Sequence, residues 1–155
     1  GGRLLLAGPT VPDVTDRTLR AKRRQVGALC WRLDENDRIQ FLLVTSRDTG
    51  RWVTPKGNQM KGLTDAEAAA EEAMEEAGAT GVMDTLSVGS FTYDKRLVGR
   101  AKRLTGVDLY GLQVTHLFET WPEAHERERR WFSRLEAVEA VDEPELKVLI
   151  AGFVP

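Results

Sequence analysis

Three glutamates, Glu72, Glu75 and Glu76, have the spacing in this sequence best suited to chemistry. Positions i, i+3 and i+4 fall on one arc of a helix. Residues 63–93 contain seven acidic residues and no Lys or Arg, so nothing in this segment can neutralise the three carboxylates. Clustered carboxylates suit a hard divalent cation such as Mg²⁺, which proteins usually hold with a few carboxylates and substrate phosphates. The alternative interpretation is a solvated acidic face.

The helix that carries these glutamates has clear end signals. Thr64 and Glu67 form a capping-box pattern at its start, and Gly78 stands where a left-handed C-terminal cap is expected. No Gly, Pro or β-branched residue lies between them, so the pattern predicts a helix over residues 65–77. Its predicted buried face consists of small or apolar side chains: Ala66, Ala69, Ala70, Ala73, Met74 and Ala77.

The composition favours one globular domain. The chain has 155 residues, of which 41% are hydrophobic, and a formal net charge of −2. We expect an N-terminal arm over residues 1–24 and a single domain over 25–155. One cysteine excludes an internal disulfide and favours a reducing compartment. Without an apolar run long enough to span a membrane or a signal-peptide layout, the expected location is the cytoplasm.

Apolar alternation and turn residues predict the remaining elements. Strands are expected at residues 25–33, 39–45, 52–54, 86–93 and 107–120, a basic loop at 94–106, and helices at 133–140 and 143–153. The first two strands should form a hairpin, and the last two should pair across the basic loop. In the helix at 133–140, Leu135, Val138 and Val141 are the expected buried positions. The elements favour the α/β class, as an α/β/α sandwich with a mixed sheet covered on both faces.

Basic residues flank the acidic segment on both sides. Arg47, Arg51 and Lys56 precede the helix and could bind substrate phosphates, or could simply be solvated. Two further clusters, at residues 17–24 and 95–103, each contain five basic residues and no acid; Arg24 ends the first and Lys95 begins the second. Each suits an anionic ligand or a solvated surface.

The helix and its preceding loop resemble the Nudix box. The matching positions are Gly57, Glu72, Glu75, Glu76 and Gly78. Leu63 stands where that motif has its first Glu, and Glu71 stands where it has Arg. Within this superfamily the sequence is similar to the diphosphoinositol polyphosphate phosphohydrolases, which carry a similar Arg-X-X-X-Arg-Trp stretch before the box and an Arg-X-Arg-X-Trp-Phe run after the long strand. Here these stretches are residues 47–52 and 127–132.

The resemblance implies a Nudix sandwich and a hydrolase that uses Mg²⁺ or Mn²⁺ to cleave a phosphoanhydride bond. It implies Glu72 and Glu76 as the principal metal ligands, with the Gly57 carbonyl as a possible additional ligand. Glu75 is then a further ligand or the base that deprotonates water, so that Glu75 and Glu76 form the catalytic set. The predicted substrate-binding residues are Arg24, Arg47, Arg51, Lys56, Lys95, Arg127 and Arg129.

Several substrate classes remain open from the sequence. Three basic segments suit a highly phosphorylated small molecule, either a diphosphoinositol polyphosphate or a dinucleoside polyphosphate, and Trp52 and Tyr93 are available to stack on a base. Removal of pyrophosphate from RNA 5′ ends, which would make RNA the one nucleic-acid partner, or from a nucleotide would use the same metal site. Because Leu63 and Glu71 depart from the motif, a module that binds a phosphometabolite without hydrolysing it is the alternative of a different class.

Overall fold

A computed structural model describes residues 23–99 and 101–155. Within these ranges the elements are β1 (Arg23–Leu33), β2 (Ile39–Thr45), β3 (Trp52–Val53), β4 (Lys56–Asn58), α1 (Asp65–Ala77), β5 (Ala79–Arg96), β6 (Lys102–Leu117), β7 (Arg129–Ser133), α2 (Arg134–Ala140) and α3 (Pro144–Gly152). Most of the expected N-terminal arm lies outside the described residues, but Arg23 and Arg24 already belong to β1. None of the helices in the described part of the chain has the length and apolarity needed to cross a membrane.

The strands form one mixed sheet. Its order is β3-β2-β1-β6-β5, while β4 pairs with β1 and β7 pairs with β2. Only β1 and β6 run parallel among the described pairings; the others are antiparallel. The predicted hairpin is confirmed, since β1 and β2 pair with Cys30 opposite Leu42.

Alternate residues of the central strands pack on opposite sides of the sheet. On β1, Leu29 joins a core with α2 and α3, whereas Ala28 and Cys30 join a second core with α1. On β2, Phe41 and Leu43 face the first core in the same way. Both faces of these strands are therefore buried, which explains their nearly continuous apolar sequence and confirms the α/β/α sandwich.

Helix α1 begins and ends where the sequence predicts. The Thr64 hydroxyl accepts a hydrogen bond from the Glu67 amide at 3.1 Å, and the Thr64 amide donates to the Glu67 carboxylate at 2.9 Å. At the other end Gly78 adopts φ 61°, and its amide donates to the Met74 carbonyl at 3.0 Å. These caps satisfy backbone groups that have no partner inside the helix.

The structure corrects one predicted loop, adds one strand and corrects one predicted buried position. The basic loop is mostly strand, because β5 continues to Arg96 and β6 already begins at Lys102, leaving a tight hairpin between them. The box loop contains β4, which pairs with β1 and was not predicted. Of the positions expected to be buried along α2, Val141 is buried as predicted, but Leu135 is 69% exposed, because α2 turns Ala137 toward the core instead.

Candidate active site

Two of the three glutamates on α1 are buried together. Glu72 and Glu76 lie one helical turn apart and are only 8% and 6% exposed, whereas the Glu75 side chain is exposed. The small residues Ala69 and Ala73 lie on the same side of α1 and are completely buried, which lets the helix lie close to the sheet. The three carboxylates that spacing places on one face thus separate into a buried pair, Glu72 and Glu76, and the exposed Glu75.

Gly57 on β4 leaves the room that the Glu72 carboxylate occupies. A Cβ atom built on Gly57 would overlap that carboxylate. The pairing of β4 with β1, in which Gly57 lies opposite Val26, fixes this close approach. The neighbouring Lys56 amide donates a hydrogen bond to Glu76 at 3.3 Å. The strand missing from the sequence prediction therefore contacts both buried carboxylates.

The positive charge nearest to Glu76 comes from a distant part of the chain. Nη2 of Arg127 lies 3.5 Å from the Glu76 carboxylate, and both side chains are buried. Nη1 of Arg127 donates to the Thr45 carbonyl at 3.0 Å, and its Nε donates to Glu123 at 2.9 Å. Glu71, which stands at the Arg position of the box, is exposed. Arg127 thus supplies the cation that the helix itself lacks.

Burial shifts the pKa values of this cluster. It raises the pKa of Glu76 to about 8, although Arg127 and Lys56 act in the opposite direction. Burial also raises the pKa of Glu72. The pKa of Lys56 is lowered to about 8, again mainly by burial. Groups that exchange protons near neutral pH are typical of catalytic sites and of sites that take up a cation.

These carboxylates face a cleft of about 500 Å³, which we define by Arg47, Arg51, Lys56, Glu72, Glu76 and Arg127 in its lining. Arg47 lies 3.7 Å from Glu123 and from Glu126. Lys95 and its hairpin neighbours Arg96 and Lys102 also line the cleft. The lining therefore combines the buried acidic pair with several basic side chains, which is the combination expected for a cation and an oligophosphate.

Tyr93 is the aromatic ring of the cleft. The Lys56 ammonium lies 4.6 Å from the centre of this ring, and the Tyr93 hydroxyl donates to Gln25 at 2.6 Å. Trp52, the other ring considered for stacking, instead packs against Phe132 at 4.9 Å between ring centres. Of the two predicted stacking residues, only Tyr93 is brought to the cleft.

Two predicted substrate-binding arginines do not line the cleft. Arg24 pairs with Asp108 beside Ser90. Arg129 donates to the Ala77 carbonyl at 2.8 Å and to the Phe118 carbonyl at 2.7 Å, and its guanidinium stacks on Trp121. Arg127, only two positions earlier, does line the cleft; it precedes β7, whereas Arg129 belongs to that strand.

Two glutamates of the site were not among the predicted residues. Glu123 lies near Glu72 and Glu76, where its charge raises the pKa of both, and its spacing of four residues from Arg127 was the available signal. Glu143 accepts hydrogen bonds from Arg51, which lies 92 positions earlier in the sequence, and no local sequence pattern indicates this ion pair. Long-range ion pairs depend on the fold and not on spacing.

The buried carboxylates fit a divalent cation. Carboxylate oxygens are the ligands that Mg²⁺ and Mn²⁺ prefer, and the missing Cβ of Gly57 lets the Glu72 carboxylate lie against β4. Within residues 23–99 and 101–155, no three His, Cys, Asp or Glu side chains form a complete metal-binding group. A cation held by Glu72 and Glu76 would therefore need backbone or substrate oxygens as well, as Mg²⁺ commonly does.

Comparison with solved structures supports the fold that these elements define. The Caenorhabditis elegans Ap4A hydrolase, in a binary complex, superposes with a TM-score of 0.60 at 23% identity, covering 83% of this chain and 92% of that one. This likeness shows that the two chains share a fold.

The sequence comparisons identify the family. The NUDIX domain model matches residues 23–153, so the chain belongs to the Nudix family and the predicted resemblance is confirmed. Nudix hydrolase 12, mitochondrial, of Arabidopsis thaliana is 35% identical over 114 residues, which are 69% of this chain and 54% of that protein. Human diphosphoinositol polyphosphate phosphohydrolase 3-beta is 29% identical over 121 residues, or 77% of this chain and 69% of that protein. The chain spans 54% to 66% of the length of its Arabidopsis relatives.

Proposed function

We propose that this chain is a divalent-metal-dependent pyrophosphohydrolase that cleaves a diphosphate linked to another moiety. The observation that carries the proposal is the buried pair Glu72 and Glu76 in a cleft that several basic side chains also line. Two desolvated carboxylates are costly unless a cation neutralises them, and a cation there would lie beside phosphates bound by the wall. Membership of the Nudix family supports the same reaction class.

Different residues of the cleft would have different roles in hydrolysis. Glu72 and Glu76 would hold Mg²⁺ or Mn²⁺, with the Gly57 carbonyl as a possible further ligand. When bound, the cation supplies charge neutralisation at the phosphate oxygens. Arg127 holds Glu76 in place, and Arg51 and Lys56 bind the phosphates from the wall. Of the two predicted catalytic glutamates, Glu76 lines the cleft and Glu75 does not, which favours Glu76 as the proton acceptor.

For the substrate we propose a diphosphoinositol polyphosphate or a dinucleoside polyphosphate. Basic side chains reach the cleft from three parts of the chain: Arg47 and Arg51, then Lys95, and then Arg127. Such a wall can contact phosphates that lie several ångströms apart, as either ligand requires. The name of the human relative supports the first class, and Tyr93 in the cleft supports the second because it could stack on a base.

Two alternatives share the same site. Hydrolysis of an RNA 5′ end or of a free nucleotide would use the same carboxylates, and Tyr93 again favours a base-containing substrate. A module that binds a phosphometabolite without turnover is the alternative that the two replaced box positions suggest. These positions hold Leu63 and Glu71, and both side chains are exposed. The cytoplasmic location and the domain boundary at residue 25 stay predictions from the sequence.

The test is release of phosphate or pyrophosphate with Mg²⁺ across inositol pyrophosphates, dinucleoside polyphosphates, nucleoside triphosphates and triphosphorylated RNA. Glu76→Gln should lower turnover by about a hundredfold or more, because a neutral amide is a poor ligand for a hard cation. Glu71→Gln is the matched control, since it removes an exposed acid from the same helix. Selective turnover that Glu76→Gln alone abolishes supports the proposal. Tight binding without any turnover would instead identify a binding module.

A further inference from the structure

Glu143 sits at the start of α3 but does not cap it. The residue occupies the N-cap position, where a short polar side chain normally accepts a hydrogen bond from the first turn, and its side chain makes no such bond. It is nevertheless only 6% exposed. A buried carboxylate that does not cap its helix must have another partner.

That partner is Arg51 on the wall of the cleft. Nη1 of Arg51 donates to both carboxylate oxygens of Glu143, at 3.0 and 2.8 Å, across 92 positions of sequence. The adjacent Asp142 is 72% exposed and lies 3.8 Å from the same nitrogen. No described residue accepts a hydrogen bond from the Nε or Nη2 atoms of Arg51, so these donors are available to a ligand in the cleft.

We propose that Glu143 is a positioning residue, which holds the Arg51 guanidinium at the cleft in the orientation that binds a substrate phosphate. This inference rests on the proposed function, because it assigns Arg51 to a phosphate. An arginine fixed by a buried carboxylate loses little side-chain freedom when it binds a ligand. The same Glu143 charge also favours the ammonium form of Lys56 beside Arg51. Glu143, in the connection between α2 and α3, thus interacts with two cations of the cleft, Arg51 and Lys56.

The experiment measures binding of inorganic tripolyphosphate by calorimetry without divalent metal, so that no turnover is needed. Glu143→Gln should weaken binding about tenfold, since it removes the charge-assisted bond that fixes Arg51. In a chain that carries Arg51→Met, the added Glu143→Gln should change nothing further, because its effect passes through Arg51. Glu139→Gln is the matched control, since it removes an exposed acid of α2 that takes part in none of the described ion pairs, and it should leave binding unchanged.

Glu143→Asp separates positioning from a structural role. Aspartate is a good N-cap, so this variant should keep or raise the midpoint temperature of unfolding, while its shorter side chain withdraws from Arg51 and weakens binding. Loss of binding with retained stability is not expected if Glu143 serves only to hold α3. This variant also provides an answer if Glu143→Gln folds poorly.

The inference is overturned if either substitution at Glu143 leaves tripolyphosphate binding unchanged or makes it tighter. It is also overturned if the substitution weakens binding by the same factor in the Arg51→Met chain as in the chain that keeps Arg51. Its failure differs from failure of the proposed function. A chain that hydrolyses no substrate but loses tripolyphosphate affinity through Arg51 would refute only the reaction. A working hydrolase whose affinity ignores Glu143 would refute only the positioning role.

Discussion

At Gly57 the absence of a side chain makes room for the Glu72 carboxylate, which lies against β4. Gly57→Ala would place a methyl group where that carboxylate lies. We expect Mn²⁺ binding, measured by calorimetry, to weaken at least about tenfold as Glu72 is displaced. Gly152→Ala is the matched control, since a Cβ there meets no atom within 4 Å. Equal Mn²⁺ affinity in the two variants would contradict the role of Gly57.

Spacing along the chain predicts residues of the site only where these residues are close in sequence, whereas Arg127 was predicted from the resemblance to a family and Lys95 from a basic cluster. Glu72 and Glu76 follow from helical spacing, and Gly57 follows from the motif, but spacing alone does not separate them from Glu75. The structure makes that distinction because α1 buries one side and exposes the other. Glu123 and Glu143 become visible only after the fold brings them to Arg127 and Arg51.

At the level of elements, Arg129 has a clear structural task. Helix α1 has no basic residue in its last turn, and Arg129 supplies one from β7 by donating to the Ala77 carbonyl. A cation at the C-terminus of a helix interacts favourably with its dipole and satisfies its free carbonyls. Stacking on Trp121, which itself donates to the Glu76 carbonyl, ties β7 to the same turn.

Arg129→Met should therefore lower stability by about 1–3 kcal/mol while leaving KM for the substrate unchanged. The free energy of unfolding from denaturant titration and the KM of the purified variant test this directly. Arg127→Met is the comparison, because Arg127 lines the cleft and its loss should affect turnover as well. A raised KM with normal stability would favour the sequence-based prediction that Arg129 binds substrate.

Elements with strong local signals are the ones that the sequence predicts well. Both ends of α1 have capping residues, and β1 and β2 have apolar runs bounded by turn residues. β4 has neither, because Lys56 to Asn58 is short and polar and becomes a strand only by pairing with β1. The basic hairpin was missed because it places Lys95 opposite Arg103, a like-charge pair that sequence rules disfavour.

For the molecule as a whole, the buried Glu76 makes stability depend on pH. The pKa of this carboxyl rises from its ordinary value of 4.5 to about 8 in the folded chain, mainly through burial. Between these values the folded chain keeps a proton that the unfolded chain releases. The stability gained from this group is therefore complete below about pH 4.5 and is lost as pH rises through about 8. Lys56, whose folded pKa is lowered to about 8, changes stability with pH only above that value.

We therefore expect the midpoint temperature of unfolding in EDTA to fall between pH 5 and pH 8 by about 5 °C more in the wild-type chain than in Glu76→Gln, which cannot ionise there. Glu71→Gln, an exposed acid on the same helix, should follow the wild type. Adding Mn²⁺ at pH 8 should restore stability to the wild type and not to Glu76→Gln, because a cation binds the ionised carboxylate and not the amide. The same pH dependence of stability in Glu76→Gln and in the wild type would show that Glu76 is not the group responsible for it.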